Sequence, residues 1–293
     1  MRFALLTCDP LPEHDPDEAP LLDALRGRGH EADPMVWDNP AADFTACDAI
    51  VLRATWDYAH KADAFRAWLD RPDVAARLLN PPGAVRWNLD KRYLLELASR
   101  GIPIVPTAIV DRGDPAGVAA CARSRGWDDI VVKPVVSAGS VNTARFTGDA
   151  IHDPGSGADL YVRTWRTDAP AMVQPYLRSV EGGSAGEAER AIVWIDGEVS
   201  HVIEKSRRFA GDAEAVSACP AVADADRDLA DRVVAACGHA PLYARVDVMQ
   251  VDSGETVLSE LELIEPSMYF SLAPGSVDRF ADSLERRVAT MKS

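Results

Sequence analysis

At 293 residues, 47% apolar and 26% charged, the chain has length for about two domains and can bury a full core, which excludes disordered and fibrous classes. Its 31 Lys and Arg stand against 46 Asp and Glu, a formal charge of −15 that disfavours nucleic acid and anionic membrane as partners. No apolar run approaches the ~20 residues of a membrane span, and the opening MRFALLTCDPL is too short for a signal peptide, so a soluble, cytoplasmic protein is expected.

In chain order, 2–8 (RFALLTC) reads as an apolar strand, 21–28 as a helix stopped by Gly27 and Gly29, 48–53 (DAIVLR) as a strand and 64–69 as a short amphipathic helix. Strands separated by helices predict βαβ units and a parallel sheet. Ligands of such sheets sit beyond the carboxyl ends of the strands, which puts 7–9 and 53–58 (RATWDY) on the candidate binding edge. NPPGAVRWN (80–88) reads as a linker, because its prolines and glycine interrupt regular structure. Asp90 is placed to cap a helix over 91–100, ended by Gly101 and Pro103. Then come a strand (104–110), a helix (115–125), a strand (130–133) and the small-residue loop SAGSVNT (137–143). A loop-rich stretch leads to strands at 171–175, 189–195, 199–205, 243–251 and 256–264, with helices at 224–237 and 277–291. IDGE (195–198) carries the Asp-Gly signal of a hairpin turn.

Cysteine and histidine chemistry is not expected. The five cysteines are scattered without a C-x-x-C pair, G-x-S-x-G is absent and the six histidines are dispersed. Lysine is rarer and more pointed. Only Lys61, Lys91, Lys133, Lys205 and Lys292 occur, and three stand at element edges. Lys133 ends an apolar strand just before the small-residue loop, where Ser137, Gly139 and Ser140 let backbone N–H groups approach; this is a candidate phosphate cradle, though not a Walker A loop.

The strongest signal is acidic. Glu260 and Glu262 lie two apart on a strand and share a face, with Leu261, Leu263 and Ile264 making the other face apolar. Asp247 adds a carboxylate from another strand. Three carboxylates converging on one face suit hard Mg²⁺ carrying nucleotide phosphates.

These motifs, taken in order, resemble the ATP-grasp superfamily of carboxylate–amine ligases, in its glutathione-synthetase-like and ribosomal-S6-modification-like branch. NLDKRYLLELASRGIPIVPT (88–107) is similar to the segment whose lysine, here Lys91, reaches nucleotide phosphates, and VVKP (131–134) matches the second ATP lysine, Lys133. VQPYL (173–177) is similar to the interdomain hinge that reads adenine, which gives that role to Gln174, Pro175, Tyr176 and Leu177. SELELIEPS (259–267) resembles the metal signature, with Glu262 where the family has Asn and Asp247 as the upstream ligand. The hairpin signature departs: Glu189 takes the acidic position, on the ATP side, and Arg190 stands one place early, which leaves open whether it or Arg207 or Arg208 replaces the family arginine. WDY, SHVIEK and ELELIEP together look most like a bacterial subgroup that includes the ring-closing enzyme of D-cycloserine biosynthesis.

The resemblance implies an α/β ATP-grasp fold. An N-terminal Rossmann-like substrate domain (1–85) would precede a lid subdomain (86–172, mobile over about 110–171) and a C-terminal subdomain (173–293). It implies ATP and two Mg²⁺ ions, with Lys205 and Arg245 stabilising the transferring phosphoryl and acyl-phosphate oxygens. Arg53, Trp56, Asp57, Tyr58 and Ser267 are then the candidates for a small amino-acid-like substrate, and a homo-oligomer is possible. The expected reaction is carboxylate activation followed by amide or ring formation. An intermolecular ligase, a kinase that stops at phosphorylation and a non-catalytic nucleotide-binding protein stay open as alternatives.

Overall fold

The computed structural model describes residues 1–11, 15–112, 114, 117–139, 141–152, 157–165, 168–177, 189–206, 215–251 and 253–292. Three sheets carry the fold, one in each third of the chain.

The first is parallel, in the order β2-β1-β3, from β1 (Arg2–Thr7), β2 (Glu31–Val36) and β3 (Ala49–Ala54), with α1 (Glu18–Gly27) between the first two. The βαβ reading holds, but β2 was not foreseen. Its sequence EADPMV has no apolar run, being broken by Glu31, Asp33 and Pro34, and an edge strand tolerates the proline. After β3 come α2 (Ala62–Leu69) and α3 (Pro72–Ala75). Phe65 packs against Trp37, Tyr58 and Trp68 at ring distances of 5.0–5.4 Å, each pair worth about 0.5–1.5 kcal/mol beyond its burial. This cluster supports the carboxyl edge of the sheet from below.

Residues 80–88 are not a linker. Pro82–Asn88 form helix α4, with Pro82 in the first turn, where a missing N–H costs nothing. Asn80 donates to the carbonyls of Tyr243 and Leu263 at 2.9 and 2.7 Å and accepts from the amides of Leu242 and Tyr243. Asn88 bonds Leu261 and Leu263 in the same way. The segment thus covers a strand edge that would otherwise stay open. The next helix, α5 (Tyr93–Ser99), starts two residues later than expected; Asp90 accepts from the Arg92 amide and caps only the turn before it.

The second sheet is antiparallel, β4-β7-β5-β6, from β4 (Ala108–Val110), β5 (Asp129–Pro134), β6 (Ala144–Thr147) and β7 (Ala171–Pro175), covered by α6 (Gly117–Arg125), α7 (Asp149–His152) and α8 (Gly157–Thr164). Here β4 is shorter than the run 104–110; Ile104 instead bridges Leu258. The stretch read as loop-rich holds β6, α7 and α8, whose short lengths leave little periodicity to detect.

The third sheet is also antiparallel, β10-β9-β8-β11-β12, from β8 (Glu189–Ile195), β9 (Glu198–Ser206), β10 (Ala215–Ala218), β11 (Tyr243–Gln250) and β12 (Thr256–Glu262). Asp196 and Gly197 both take positive φ in the β8–β9 turn, as the hairpin signal requires. One face packs against α9 (Asp224–Cys237) and α5. The other changes character along its length. Val193, Ile195 and Tyr243 meet the first sheet and α10 (Ser276–Met291), whereas Arg245, Asp247, Glu260 and Glu262 face a cavity or its floor. No described helix is long and apolar enough to cross a membrane.

Candidate active site

The cavity of about 890 Å³ lies where the three sheets meet. From the second sheet it takes Lys133 and the loop residues Ser137, Gly139 and Thr143; from the third sheet Lys205, Arg245, Glu260 and Glu262; from the first sheet's carboxyl edge Asp9, Trp56, Asp57 and Tyr58. Lys91 arrives just before α5, held by the hydrogen bond its backbone N–H donates to the Val135 carbonyl at 2.7 Å. Ser267 and Tyr269 close the wall after β12.

Strand register explains the charged group. Asp247 pairs with Glu260 and Arg245 with Glu262 across β11 and β12, and Glu189 pairs with Lys205 across β8 and β9. Alternation therefore puts all six on one face. The cations neutralise the acids. Lys91 and Lys133 both reach Glu260, Lys133 at 3.7 Å, and Arg245 pairs with Glu262. Asp247 accepts from Arg245 at 2.8 Å and from Lys205 at 2.7 Å. Burial would push the Asp247 carboxyl up, but Arg245 and Lys205 outweigh it and hold it at about 2. At Glu262 desolvation prevails and, with Asp247 and Glu260 adding to it, pushes the carboxyl up.

Several expected residues stand elsewhere. Arg53 does not line the cavity: it is 2% exposed, donates to the Pro266 carbonyl at 2.9 Å and pairs with Asp15 and Asp17. Its place at the strand end suggested substrate, but it serves the backbone. Asp247 is 1% exposed and sits beneath the cavity, both oxygens taken by its cations, and Glu189 lies buried beside Lys205. Gln174, Pro175, Tyr176 and Leu177 stand outside the cavity wall; Gln174 donates to Thr107 Oγ1 at 2.9 Å, and the Arg145 guanidinium lies 3.5 Å from the Tyr176 ring centre. Ser140, Arg207 and Arg208 lie outside the described residues. Arg190 is bound at two points by Asp226 of α9, on the far face of the sheet, so it is not at hand for phosphate.

Glu265 is the residue that sequence reasoning missed. Alternation would put it opposite Glu260 and Glu262, but β12 ends at Glu262 and the chain turns, bringing Glu265 into the same cavity and Ile264 into the core of the first sheet. Burial, with the Glu262 charge added, pushes its carboxyl well above the usual range. The only sequence signal was an acid within the motif segment.

Comparison with known proteins agrees with this geometry. Residues 3–80 match the family model for the D-cycloserine synthetase DcsG N-terminal domain. The cycloserine biosynthesis protein DcsG of Streptomyces lavendulae is 31% identical over 292 residues, covering 94% of each chain. This chain belongs to the D-cycloserine synthetase family of ATP-grasp ligases. A crystal structure of D-cycloserine synthetase DcsG superposes with a TM-score of 0.87 at 29% identity, over 98% of this chain and all of that one. The D-alanine–D-alanine ligase of Coxiella burnetii shares the fold at 14% identity, with a TM-score of 0.75 over 100% of this chain and 96% of that one. The α/β ATP-grasp fold and the assignment as a ligase therefore stand.

Within such a ligase the donor set fits a hard divalent cation. Glu260 and Glu262 present carboxylate oxygens into a cavity already lined by ammonium and guanidinium groups. Among the described residues no group of three His, Cys, Asp or Glu is placed to hold a metal ion by itself.

Proposed function

We propose that this protein activates the carboxylate of a small amino acid with ATP and closes a ring onto it, as the name of its cycloserine-synthesising relatives suggests. One observation carries the reading: a single cavity joins the phosphate-type lysines and the acid pair to the small pocket at Trp56, Asp57 and Tyr58. In this reading Lys91 and Lys133 exchange Glu260 for the phosphates of ATP, and Glu260 and Glu262 turn to Mg²⁺. Bound by Glu260 and Glu262, Mg²⁺ would supply charge neutralisation to the phosphates. A two-ion arrangement also draws on Asp247, which must first give up Arg245 or Lys205. Gln174 to Leu177 receive adenine beyond the cavity wall.

The substrate carboxylate attacks the γ-phosphorus and ADP leaves, with Lys205 and Arg245 stabilising the oxygens of the phosphoryl group in transfer. A nitrogen of the same substrate then attacks the acyl carbon, the C–O bond to phosphate breaks, and the nitrogen loses a proton. Tethered attack supplies a high effective molarity and requires no second acceptor site. The test is ADP release from ATP and Mg²⁺ across a panel of single amino acids and their O-substituted serine derivatives, with products identified by mass spectrometry. A cyclic product from one amino acid supports the reading. ADP formed only when a separate amine is added makes the protein an intermolecular ligase, a phosphorylated product without condensation makes it a kinase, and no release with any substrate leaves a nucleotide-binding protein.

A further inference from the structure

The cavity wall after β12 holds a residue in a backbone conformation that its side chain disfavours. Tyr269 lies at φ +53°, in the left-handed region where a Cβ crowds the following carbonyl oxygen. Its surroundings enforce this. Asp17 accepts the amides of Met268, Tyr269 and Phe270, Arg53 donates to the Pro266 carbonyl, and His201 bonds the Met268 carbonyl. Backbone fixed this firmly in a sparse region gathers at sites where the placement of a side chain matters. Glycine would take the same conformation freely, so the turn itself does not call for a tyrosine.

The side chain reaches the site. Tyr269 lines the cavity, and the Arg245 guanidinium lies 5.9 Å from its ring centre. The residue is half-buried, and its hydroxyl has no hydrogen-bond partner among the described residues. Strand register says which part of the cavity this is. Asp247 pairs with Glu260, Arg245 with Glu262, and Tyr243, the next residue on that face of β11, meets the first sheet. Lys91 and Lys133 reach Glu260, at the phosphate end of this row. Tyr269 stands at Arg245, one step nearer the first sheet and its Trp56–Tyr58 edge. A phenolic O–H placed there calls for an acceptor oxygen. In the proposed reaction the acceptor brought to Arg245 from the substrate side is the carboxylate.

We propose that the Tyr269 hydroxyl donates a hydrogen bond to the substrate's reacting carboxylate beside Arg245, which makes Tyr269 a substrate-binding residue and Asp17 the brace that aims it. The inference rests on the proposed function and deepens it by naming what orients the carboxylate. A carboxylate held by one cation can turn about it, whereas a second donor from another element fixes its plane toward the γ-phosphorus. After phosphoryl transfer the oxygen left behind is the carbonyl oxygen of the acyl phosphate. The same hydroxyl bonds that oxygen while the nitrogen attacks.

The test is calorimetry with D-cycloserine, whose ring carbonyl oxygen descends from the carboxylate, and with isoxazolidin-4-amine, the same ring without that oxygen. Both are titrated into protein holding a non-hydrolysable ATP analogue and Mg²⁺. Wild-type protein is expected to prefer D-cycloserine by about 100-fold or more, because a site built to bond an oxygen rejects the analogue lacking it. Tyr269→Phe keeps the ring and removes only the hydroxyl. It should cut the preference by roughly 10-fold, the worth of one hydrogen bond, and leave isoxazolidin-4-amine, the ATP analogue and the urea unfolding midpoint unchanged. Tyr269→Gly, which takes the left-handed backbone freely, should bind D-cycloserine no better than Tyr269→Phe. An unchanged preference in Tyr269→Phe overturns the proposal, as does wild-type binding in Tyr269→Gly. A lowered unfolding midpoint in Tyr269→Phe makes the hydroxyl part of the fold, and an equal loss of ATP-analogue binding makes it a phosphate contact; either result overturns the proposal. Wild-type protein that binds the ATP analogue but neither ring overturns the underlying functional reading instead.

Discussion

Two sets of acids, more than 200 residues apart in the chain, meet around the segment after β12 and do opposite work. Asp17 is saturated. It accepts the amides of Met268, Tyr269 and Phe270 at 2.6–3.0 Å and pairs with Arg53, which in turn donates to the Pro266 carbonyl. Three successive N–H groups around one carboxylate form an anion nest. They hold Tyr269 at φ +53°, a left-handed conformation that costs an L residue roughly 1–2 kcal/mol. Glu260 and Glu262, by contrast, are held by flexible lysines and an arginine at the cavity wall, and Glu265 keeps one oxygen unpartnered. A carboxylate whose lone pairs are spent on backbone and guanidinium is architecture. One that pairs only with exchangeable cations is available to a ligand.

That distinction predicts which substitutions strike the fold and which strike activity. The largest effect is expected at Asp17. Asp17→Ala empties the nest and leaves Arg53 with the Pro266 carbonyl and the more distant Asp15, at 3.6 Å, and breaking a buried pair in this way costs about 3–5 kcal/mol. Urea unfolding should show the loss directly. A change below about 1 kcal/mol would mean that Asp15 takes over and the loop does not depend on Asp17.

Glu260→Gln should do the reverse. Removing one charged partner of the phosphates should lower turnover by about 10²–10³-fold, with the unfolding midpoint nearly unchanged. Near-normal ADP release at saturating Mg²⁺ would place the metal elsewhere. Glu262 gives a finer probe: Glu262→Asn keeps an oxygen ligand and should retain most activity, whereas Glu262→Leu should abolish it.

Lys133→Ala tests the exchangeable cation. A hydrogen bond to a charged group is worth about 1.5–3 kcal/mol, so ATP affinity should weaken by roughly one to two powers of ten. Adenosine, which carries no phosphate, should bind as before. Equal losses for ATP and adenosine in calorimetry would make Lys133 structural.

What the sequence made legible follows the same division. Lys91, Lys133 and Lys205 stood out at element edges and Glu260 and Glu262 through strand alternation, while Arg245 came from the family resemblance; all six reach the cavity. Asp247 shares their face, but counting could not show that Arg245 and Lys205 would claim both its oxygens. Arg53 was misassigned because its partners lie more than 30 residues away on one side and more than 200 on the other. Glu265 was missed because alternation stops where β12 does, and the turn after it is set by tertiary contacts. Residues 80–88 were misread because prolines that end one element also begin the next, and only the amides and carbonyls of β11 and β12 reveal what Asn80 and Asn88 are for.

The smallest predicted effect concerns the far side of the loop that Asp17 holds. His201 Nε2 bonds the Met268 carbonyl at 2.7 Å, and Nδ1 lies 3.0 Å from Ser200 Oγ. With Nε2 donating to the carbonyl, Nδ1 accepts from the serine hydroxyl, so the ring is satisfied when neutral. Burial pushes its pKa below the ordinary 6.5, against the opposing bond to Met268. Between the folded pKa and about 6.5 the unfolded chain therefore binds more protons, and stability rises with pH. The contribution is complete above that range and fades as pH falls through it, by at most about 1.4 kcal/mol per pH unit. Urea midpoints of wild type and His201→Gln at pH 7.5 and 5.5 measure this. Wild type should lose the more stability on acidification, because Gln keeps a donor toward Met268 and takes up no proton. Parallel losses in the two proteins would mean that His201 titrates as it does in the unfolded chain, and that the loop is held from the Asp17 side alone.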